Sequence, residues 1–368
     1  MQKSLLFIPD ISGYTKFIQT TEAAHSQHVI SELLEVLISA NIQNLKLAEI
    51  EGDALFFYKE EDIPSQENLL AQIELMFTAF YSHLKMLETN RICPCNACAT
   101  APNLQLKIVA HCGELQHIKV QGNRKPFGEQ VIEAHRLLKN SVASDNYILI
   151  SKDLASTIEL SKYYYSKVFR FEQGKDTYDE REMEYIYSLI DRKKLNLKAF
   201  EDPKKVSFDR PAQLTFQKEY PLAAQLLMEY ITNYTFRHNW VKGVDKFEYN
   251  ENEVTRLGTE HICVVNGKHL NFVTVTKDVA PGQLIYGELT TSPPPVDKLF
   301  QFFILTPLTD TSCQLTVEFF WEARSPLKKL MISVLAKNAF KKGMTNNLDN
   351  LYTFVTQEHG DNHTVSSR

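Results

Sequence analysis

Apolar and polar positions follow different patterns in the two parts of the chain. In the first part, short apolar runs are separated by segments with apolar residues at helical spacing, from about Ala24 to Gln43 and from Glu67 to Leu87. In the second part, strand-like runs follow one another from Lys246 to Trp321, and a long amphipathic helix then runs from Ser325-Pro326 to about Val355. The pattern predicts an α+β fold in two domains.

The first part is predicted to form a mostly antiparallel sheet with helices on one face. Its order of elements is β-α-β-β-α-β-β-α-β-β, in which Leu47–Tyr58 forms a hairpin and the turn-rich stretch Gln121–Pro126 forms a loop. The other predicted strands are Leu5–Pro9, Leu104–His111, Leu115–Val120, Tyr147–Ile150, Tyr163–Phe171 and Glu184–Ile190, and the short helices are Val131–Leu138 and Lys152–Thr157.

The second part begins after a charged stretch without a continuous apolar face, which we interpret as a linker. The predicted boundaries are residues 1–192 for the first domain, 193–209 for the linker, 210–358 for the second domain and 359–368 for a polar tail. The predicted elements of the second domain before its long helix are a strand at Arg210–Gln217, a helix at Leu222–Tyr230, an aromatic turn at Tyr234–Trp240, and strands at Lys246–Tyr249, Glu253–Leu257, His261–Val265, Leu270–Lys277, Gln283–Thr290, Val296–Thr306 and Ser312–Ala323.

Composition sets limits on this picture. With 368 residues, 43% of them hydrophobic, the chain is long enough for two ordinary domains with their own cores. The formal net charge is -5 and no basic block is present, so nucleic acid is not an expected partner. No uninterrupted apolar run is long enough to span a bilayer, and the start of the chain does not form a signal peptide. We therefore expect a cytoplasmic protein without a membrane span.

Two acidic residues fall at the ends of apolar runs near the start of the chain. Asp10 follows the run Leu5–Pro9, and Asp53 lies with Gly52 at the tip of the predicted hairpin. Carboxylate oxygens suit Mg²⁺ or Mn²⁺, so the two side chains are candidate ligands of a divalent metal. The alternative is that Asp10 caps a helix and Asp53 is an ordinary turn residue.

Three of the six cysteines crowd into one loop, at Cys93, Cys95 and Cys98. In a reducing compartment such a cluster indicates either metal binding or a plain thiol-containing loop. A structural zinc site needs four ligands, and Cys112, His111 or His117 would complete the set if the loop folds back.

The motifs of the first part resemble those of class III nucleotidyl cyclases. Phe7–Thr15 resembles the first metal motif of that family, and Glu49–Asp53 resembles the second. Lys107–Gly113 looks like the strand that follows, and Phe127–Leu137 looks like the loop and helix that carry the transition-state groups. The resemblance covers about the first half of the chain. It implies a ferredoxin-like arrangement and conversion of a nucleoside triphosphate to a cyclic nucleotide.

The resemblance also implies roles for particular residues. Asp10, Asp53 and the backbone carbonyl of Ile11 would hold two Mg²⁺ or Mn²⁺ ions, and Arg136 would reach the α-phosphate, its alternative being an exposed helix arginine in a salt bridge. Ile132 departs from the family pattern, because an Asn that orients the ribose is usual there. Loss of such a hydrogen bond lowers a rate by about 10²–10³-fold, so the resemblance allows a slow or inactive cyclase.

Two further positions bear on the choice of base and on assembly. Glu49 stands where guanylyl-type members carry Glu, and Lys125 stands at the other base-selecting position. A carboxylate and an ammonium group suit guanine or a pyrimidine better than adenine. The alternative is that both are solvated surface residues. Homodimeric members take the metals from one subunit and the equivalent of Arg136 from the other, which implies a homodimer here.

The order of elements in the second part resembles the START-like, helix-grip superfamily of ligand-binding and lipid-binding domains. In such folds the sheet wraps around the long helix and leaves an apolar cavity. The aromatic residues of the last two strands either line that cavity or form a packed core, and they are Phe302, Phe303, Phe319, Phe320 and Trp321.

These features favour a cytoplasmic signalling protein in which a cyclase-type domain is coupled to a START-like sensor of a small apolar ligand. One alternative is a non-catalytic module that binds nucleotide or mediates dimerisation. Another is a carrier of lipid or another hydrophobic ligand, which rests on the second domain alone. Asp10 and Asp53 favour the cyclase, and Ile132 favours the non-catalytic module.

Overall fold

The computed structural model describes residues 2–199, 205–251, 253–291, 293, 295–326, 328 and 337–365. The chain divides into two units. The first comprises residues 1–86 and 100–200, and the second comprises residues 87–99 and 201–368. Both contain helices and a large sheet, so the mixed α+β class is confirmed. The assignment of the second unit to the START-like superfamily stays a prediction.

The first half of the chain forms nine strands and six helices among its described residues. The strands are β1 (Ser4–Ser12), β2 (Lys46–Glu51), β3 (Ala54–Lys59), β4 (Gln105–Gly113), β5 (Gln116–Val120), β6 (Asn123–Phe127), β7 (Tyr147–Ser151), β8 (Glu172–Tyr178) and β9 (Arg181–Leu189). The helices are α1 (Tyr14–Thr20), α2 (Ala23–Ser39), α3 (Gln66–Thr89), α4 (Asn96–Thr100), α5 (Glu129–Leu137) and α6 (Lys152–Thr157).

Strand β1 lies inside the sheet of the first unit, whose strand order is β2-β3-β1-β4-β7-β9-β8. It pairs antiparallel with β3 and β4, while β4 and β7 are parallel. Consecutive side chains of β1, from Leu5 to Ile8, are fully buried. Because neighbouring residues of a strand point to opposite faces, both faces of the sheet are covered here.

Two boundaries near the candidate site differ from the prediction. Strand β1 continues through Asp10 to Ser12, so Asp10 lies within a strand and does not cap the following helix. The predicted loop Gln121–Pro126 instead contains β6, which pairs with β5 as a separate ribbon. Gln121 and Gly122 both have positive φ, which is the geometry of a two-residue hairpin turn, so the turn residues connect two strands.

The predicted strand at Tyr163–Phe171 is wrong. Its tyrosines are mostly solvent-exposed, at 83% for Tyr163 and 74% for Tyr165, so the aromatic run does not form a buried strand. The hydroxyl of Ser166 accepts hydrogen bonds from the backbone of Val168 and Phe169 and turns the chain. Apart from one isolated bridge between Tyr165 and Arg170, regular strand pairing resumes with β8.

The second unit is built on one antiparallel sheet, with the strand order β10-β16-β15-β14-β13-β12-β11. The strands are β10 (Leu214–Tyr220), β11 (Lys246–Glu248), β12 (Glu260–Val265), β13 (Lys268–Val275), β14 (Leu284–Thr291), β15 (Lys298–Thr309) and β16 (Ser312–Glu322). The helices are α7 (Ala224–Thr232), α8 (Tyr234–Trp240) and α9 (Lys337–Val365). Part of the predicted beginning of the C-terminal helix, residues 327 and 329–336, lies outside the described residues.

Two predictions for the second unit are wrong. The aromatic turn at Tyr234–Trp240 is the helix α8, which begins where the side chain of Asn233 accepts a hydrogen bond from the backbone of Thr235. The predicted strand at Glu253–Leu257 is irregular. There the backbone N–H of Arg256 donates to the hydroxyl of Thr259 instead of to a neighbouring strand.

Both faces of the second sheet carry apolar clusters. One cluster joins the sheet to α7, α8 and α9 and includes Trp240, Phe303 and Phe319. The other lies on the opposite face, where residues 206–212 cover Phe300, Phe302 and Phe320. The ring of Phe208 stacks on Phe320 with a centroid distance of 3.9 Å. The chain that enters the second unit thus closes one face of its sheet.

We expect Phe208→Ala to destabilise the second unit by about 2–3 kcal/mol, because the partly buried ring loses its contacts with the aromatic side chains beneath it. Urea unfolding followed by tryptophan fluorescence measures this, since both tryptophans, Trp240 and Trp321, belong to the second unit. The exposed neighbour Asp209 supplies the control variant Asp209→Ala, which should leave the midpoint unchanged. Equal midpoints for the two variants would contradict the packing argument.

Candidate functional site

Asp10 and Asp53 lie at the same edge of the first sheet. Asp10 on β1 is opposite Ala54, the first residue of β3. The backbone N–H of Ile11 donates to the carbonyl of Asp53 over 3.1 Å, which fixes the tip of the hairpin beside β1. The register of the strands therefore brings two residues that are 43 positions apart in sequence to one place.

The carboxyl group of Asp10 is partly removed from water. Burial raises its pKa to about 6, with Lys107 opposing the shift and the charge of Asp53 adding to it. Burial also raises the pKa of Asp53. The ammonium group of Lys107 lies 3.6 Å from Asp10 Oδ1 and offsets only part of the cost. The site thus favours a further positive charge beside the two carboxylates.

Lys107 is a residue of this candidate site that sequence reasoning missed. It lies directly opposite Asp10 in the pairing of β1 with β4. The sequence does contain an indication of this role, because Lys107 is the one permanently charged residue in the apolar run from Leu106 to Cys112. A charge in a central strand requires a partner of opposite sign.

The other residues of the cyclase resemblance lie on β2, β6 and α5. Lys125 Nζ is 3.0 Å from Glu49 Oε2, so the two candidate base-selecting side chains pair with each other. Arg136 forms an ion pair with the exposed Asp179. Ile132 is 52% exposed, as expected of a side chain that faces a ligand or a partner but also of an ordinary surface residue.

A buried polar network stands next to α5. Glu133 lies 3.4 Å from His111 Nε2 and 2.5 Å from Arg181, and hydrogen bonding to His111 holds its pKa below the usual range. His111 also contacts Ser151 at 2.8 Å and Gln130 at 2.9 Å. Each carboxylate oxygen of Glu133 thus lies within ion-pair distance of one of these two neighbours, Oε2 near His111 and Oε1 near Arg181.

The three clustered cysteines converge. Their sulfur atoms lie within 4.8 Å of one another, and Cys93 and Cys98 are buried. Hydrogen bonding with Cys95 and Cys98, together with burial, raises the pKa of Cys93. Such a crowded thiol group could hold a metal ion, because a dication stabilises the thiolates that the protein alone disfavours.

The predicted fourth ligands have other surroundings in the first unit. Both ring nitrogens of His111 lie within hydrogen-bonding distance of neighbours. Cys112 Sγ lies 3.7 Å from the hydroxyl of Thr157, and His117 lies 3.7 Å from Glu60. None of these contacts involves the cysteine loop.

The second unit contains a cavity of about 770 Å³ beside α9. The sequence left open whether five aromatic residues of the last two strands line a cavity or form a packed core, and of these five Trp321 lines this cavity. Phe303 and Phe319 belong to the core on the helical side, while Phe302 and Phe320 face the opposite side. Besides Trp321, the lining from the sheet includes Leu270, Phe272, Thr290, Leu299 and Gln301, and the lining from α9 consists of Phe340, Gly343, Met344 and Asn347.

Known proteins match parts of this chain. A family model described as a protein of unknown function (DUF2652) matches residues 30–147. The uncharacterized protein Rv2561/Rv2562 of Mycobacterium tuberculosis is 32% identical over 140 residues, which are 36% of this chain and 61% of that protein. The chain therefore spans less than two thirds of the length of this curated relative.

The solved structures similar to this chain include cyclase domains. The catalytic core of a rhodopsin-guanylyl cyclase in complex with ATPalphaS is 14% identical, with a TM-score of 0.38 over 51% of this chain and 96% of that chain. The adenylyl cyclase CyaB from P. aeruginosa is 17% identical, with a TM-score of 0.40 over 53% and 97%. These matches cover about half the chain, and at such TM-scores they carry no weight for its function.

In the part of the chain that the structure describes, no helix combines the length and apolar character needed to cross a membrane.

The raised pKa of Asp10 predicts a pH-dependent stability in the presence of a chelator. A carboxyl group with a raised pKa contributes stability that is present below its ordinary pKa of 3.8 and is lost as the pH rises through about 6. We expect Asp10→Asn to be more stable than the wild type by about 2–3 kcal/mol at about pH 7.5, and equally stable near pH 4.

Urea unfolding followed by circular dichroism across this pH range measures the difference. The exposed Asp62 supplies the matched variant Asp62→Asn, which should show no such dependence. If Asp10→Asn were less stable than the wild type at neutral pH, the ion pair with Lys107 would outweigh the cost of burial.

Proposed function

We propose that the chain is a cytoplasmic signalling protein. Its first unit binds a nucleoside triphosphate with divalent metal ions and converts it slowly to a cyclic nucleotide. Its second unit, a START-like domain, binds a small apolar ligand that controls this activity. The observation that carries the proposal is the pair Asp10 and Asp53 at one sheet edge, where burial disfavours both negative charges.

The donor set of this edge fits Mg²⁺ or Mn²⁺. Both ions prefer oxygen ligands, and Mg²⁺ is usually held by one or two carboxylates together with substrate phosphates. Asp10 and Asp53 supply the carboxylates, and the carbonyl of Ile11 is the third candidate. Two bound ions would lower the pKa of the ribose 3′-hydroxyl and neutralise the leaving pyrophosphate.

The side chains of this protein would orient the substrate and stabilise its charge. The 3′-oxygen attacks the α-phosphorus, the bond to the pyrophosphate oxygen breaks, and the hydroxyl proton passes to solvent. Arg136, from the other subunit of a homodimer, would stabilise the negative charge that develops on the α-phosphate. Its ion pair with the exposed Asp179 is solvated, so releasing it costs little.

The pair Glu49 and Lys125 supports a preference for guanine or a pyrimidine. An acceptor and a donor lie within 3.0 Å of each other on neighbouring elements, and both side chains are partly exposed. Guanine presents an N–H edge beside a carbonyl oxygen, so it can exchange hydrogen bonds with both groups. Adenine offers neither the N1–H nor the carbonyl.

A second candidate function is a non-catalytic nucleotide-binding or dimerisation module. The ammonium group of Lys107, 3.6 Å from Asp10, favours it, since this charge neutralises part of the site without a metal. The apolar side chain at Ile132 favours it too, because it cannot bond a ribose hydroxyl. A third candidate, a carrier of hydrophobic ligands, rests on the cavity of the second unit alone.

An assay of all four triphosphates with Mg²⁺ or Mn²⁺ separates these candidates. We expect weak cyclisation that is favoured by Mn²⁺ and by GTP or a pyrimidine triphosphate over ATP. Asp53→Asn should abolish it, because a charged metal ligand is lost at nearly constant volume. Ile132→Asn should raise it by about 10–100-fold by restoring a ribose contact.

The control for this assay is Asp62→Asn, which changes an exposed carboxylate elsewhere and should leave the rate unchanged. Absence of cyclic product from both the wild type and Ile132→Asn, with every triphosphate, would leave the non-catalytic module as the better account.

We also propose that Cys93, Cys95 and Cys98 bind structural zinc, with a fourth ligand from elsewhere in the chain. Zinc in closed protein sites is tetrahedral, and sets of three thiolates with one histidine or four thiolates are usual. The convergence of the three sulfurs supports this.

Protein purified without chelators should contain about one zinc ion per chain, bound to at least three sulfur atoms at about 2.3 Å by X-ray absorption. Cys95→Ser should lower the zinc content, whereas Cys112→Ala, which removes a buried thiol elsewhere, should not. A zinc-free wild type, or equal zinc in the two variants, would contradict the site.

A further inference from the structure

The cavity beside α9 is mainly apolar but carries one positive charge. Its apolar lining includes Phe272 and Leu299 on the sheet and Phe340 and Met344 on α9. Lys242 is the one charged residue among the lining residues that the structure describes, and none of these residues is an acid. The cavity therefore combines a large apolar surface with a single cationic group.

The backbone that carries the Lys242 side chain is held by two helices. The backbone N–H of Val241 donates to the carbonyl of Arg237 on α8 over 2.8 Å. The backbone N–H of Lys242 donates to Oδ1 of Asn347 on α9 over 3.0 Å, and Asn347 lines the same cavity. Because the side chain of Lys242 is exposed, it stands where the cavity opens to solvent.

The charge of Lys242 is not balanced by an acid in the part of the chain that the structure describes. The hydrogen-bond partner of its ammonium group there is the carbonyl of Asn239, at 3.4 Å. Asp245, the nearest acid along the sequence, accepts a hydrogen bond from the backbone of Gly267 instead. A bound anion can supply the missing counter-charge, and at the mouth of the cavity it stays in contact with water, so the cost of burying its charge is small.

We propose that this cavity binds a molecule with one apolar chain and one carboxylate, with the chain against the apolar lining and the carboxylate paired with the ammonium group of Lys242. The proposal rests on the ligand-binding half of the proposed function and specifies the ligand class. A volume of about 770 Å³ is in the range of small-molecule sites. Since the described lining offers one ammonium group and no acid, it favours a monoanion over a cationic head group.

Displacement of the neutral fluorescent probe N-phenyl-1-naphthylamine from the full chain tests this. The competitors are decanoate, decan-1-ol and decyltrimethylammonium, which share a chain length and differ in charge. They are used below their critical micelle concentrations and at low salt, where an ion pair at the protein surface is least screened. Lys242→Gln should weaken decanoate by about 2- to 5-fold and leave decan-1-ol and the probe unchanged.

Reversal of the charge gives a sharper result. Lys242→Glu should weaken decanoate further, by about 5- to 20-fold, and strengthen decyltrimethylammonium by about 2- to 5-fold. The matched control is Lys342→Glu, which makes the same change in net charge. Lys342 is exposed on α9, and the helical repeat places it on the side opposite Phe340 and Met344, which line the cavity. This control should bind all three competitors as the wild type does.

Gly343→Leu tests the cavity itself. Gly343 lies between Phe340 and Asn347 on the face of α9 that lines the cavity, and a Cβ atom there meets no neighbour within 4 Å. Leucine also has a higher helix propensity than glycine. This variant should therefore remain folded, with an unchanged or higher Tm, and lose probe binding.

The outcomes separate the two claims. If the wild type does not bind the probe, or Gly343→Leu binds it as well as the wild type, ligand binding in this cavity is wrong, and the ligand-binding half of the proposed function fails with it. If Gly343→Leu abolishes probe binding but Lys242→Glu binds decanoate as well as Lys342→Glu does, ligand binding stands and the carboxylate proposal is overturned.

Discussion

A carboxylate that is taken out of water must be paired, protonated or bound to a cation. Asp10 is partly removed from water in this way because β1, on which it lies, is covered on both faces and continues past it to Ser12. The pairing of β1 with β3 and β4 then decides which groups surround the carboxylate: Asp53 on one side and Lys107 on the other. The chemistry open to the first unit depends on how this triad of charges is balanced.

In the second unit the charge of the buried acid is balanced within the protein. Its buried acid, Glu288, is paired with Arg237, which holds the pKa of Glu288 low despite burial. A buried ion pair of this kind contributes little net stability, because desolvation opposes the attraction. It does fix the positions of Tyr234, Tyr286 and the strand beneath them.

Much of the fold could be predicted because the buried segments have clear periods. The hairpin at residues 47–58, the long helix α3 and the paired strands β15 and β16 all followed from alternation or helical spacing. Segments dominated by local hydrogen bonds were mispredicted, as at Ser166 and Asn233, where one side chain redirects the backbone. Periodicity does not report such bonds.

The sites were harder to predict than the strands. The convergence of Cys93, Cys95 and Cys98 followed from their spacing, and the meeting of Asp10 with Asp53 followed from the hairpin. The cavity lining did not follow, because Phe302 and Phe303 are consecutive and both fully buried, so alternation cannot tell which faces the helices.

The segment of residues 205–212 has a practical meaning for dissecting the protein. Lys205 bridges to Thr276, and Phe208 covers three phenylalanines on the face of the sheet away from α9. A fragment that begins at Leu214, the first residue of β10, would lack Phe208. The three phenylalanines that Phe208 covers would then be exposed to water as an apolar surface prone to association. The smallest autonomous form of the second unit therefore starts before its sheet does, and also needs residues 87–99, which belong to the same unit but come from the other half of the sequence.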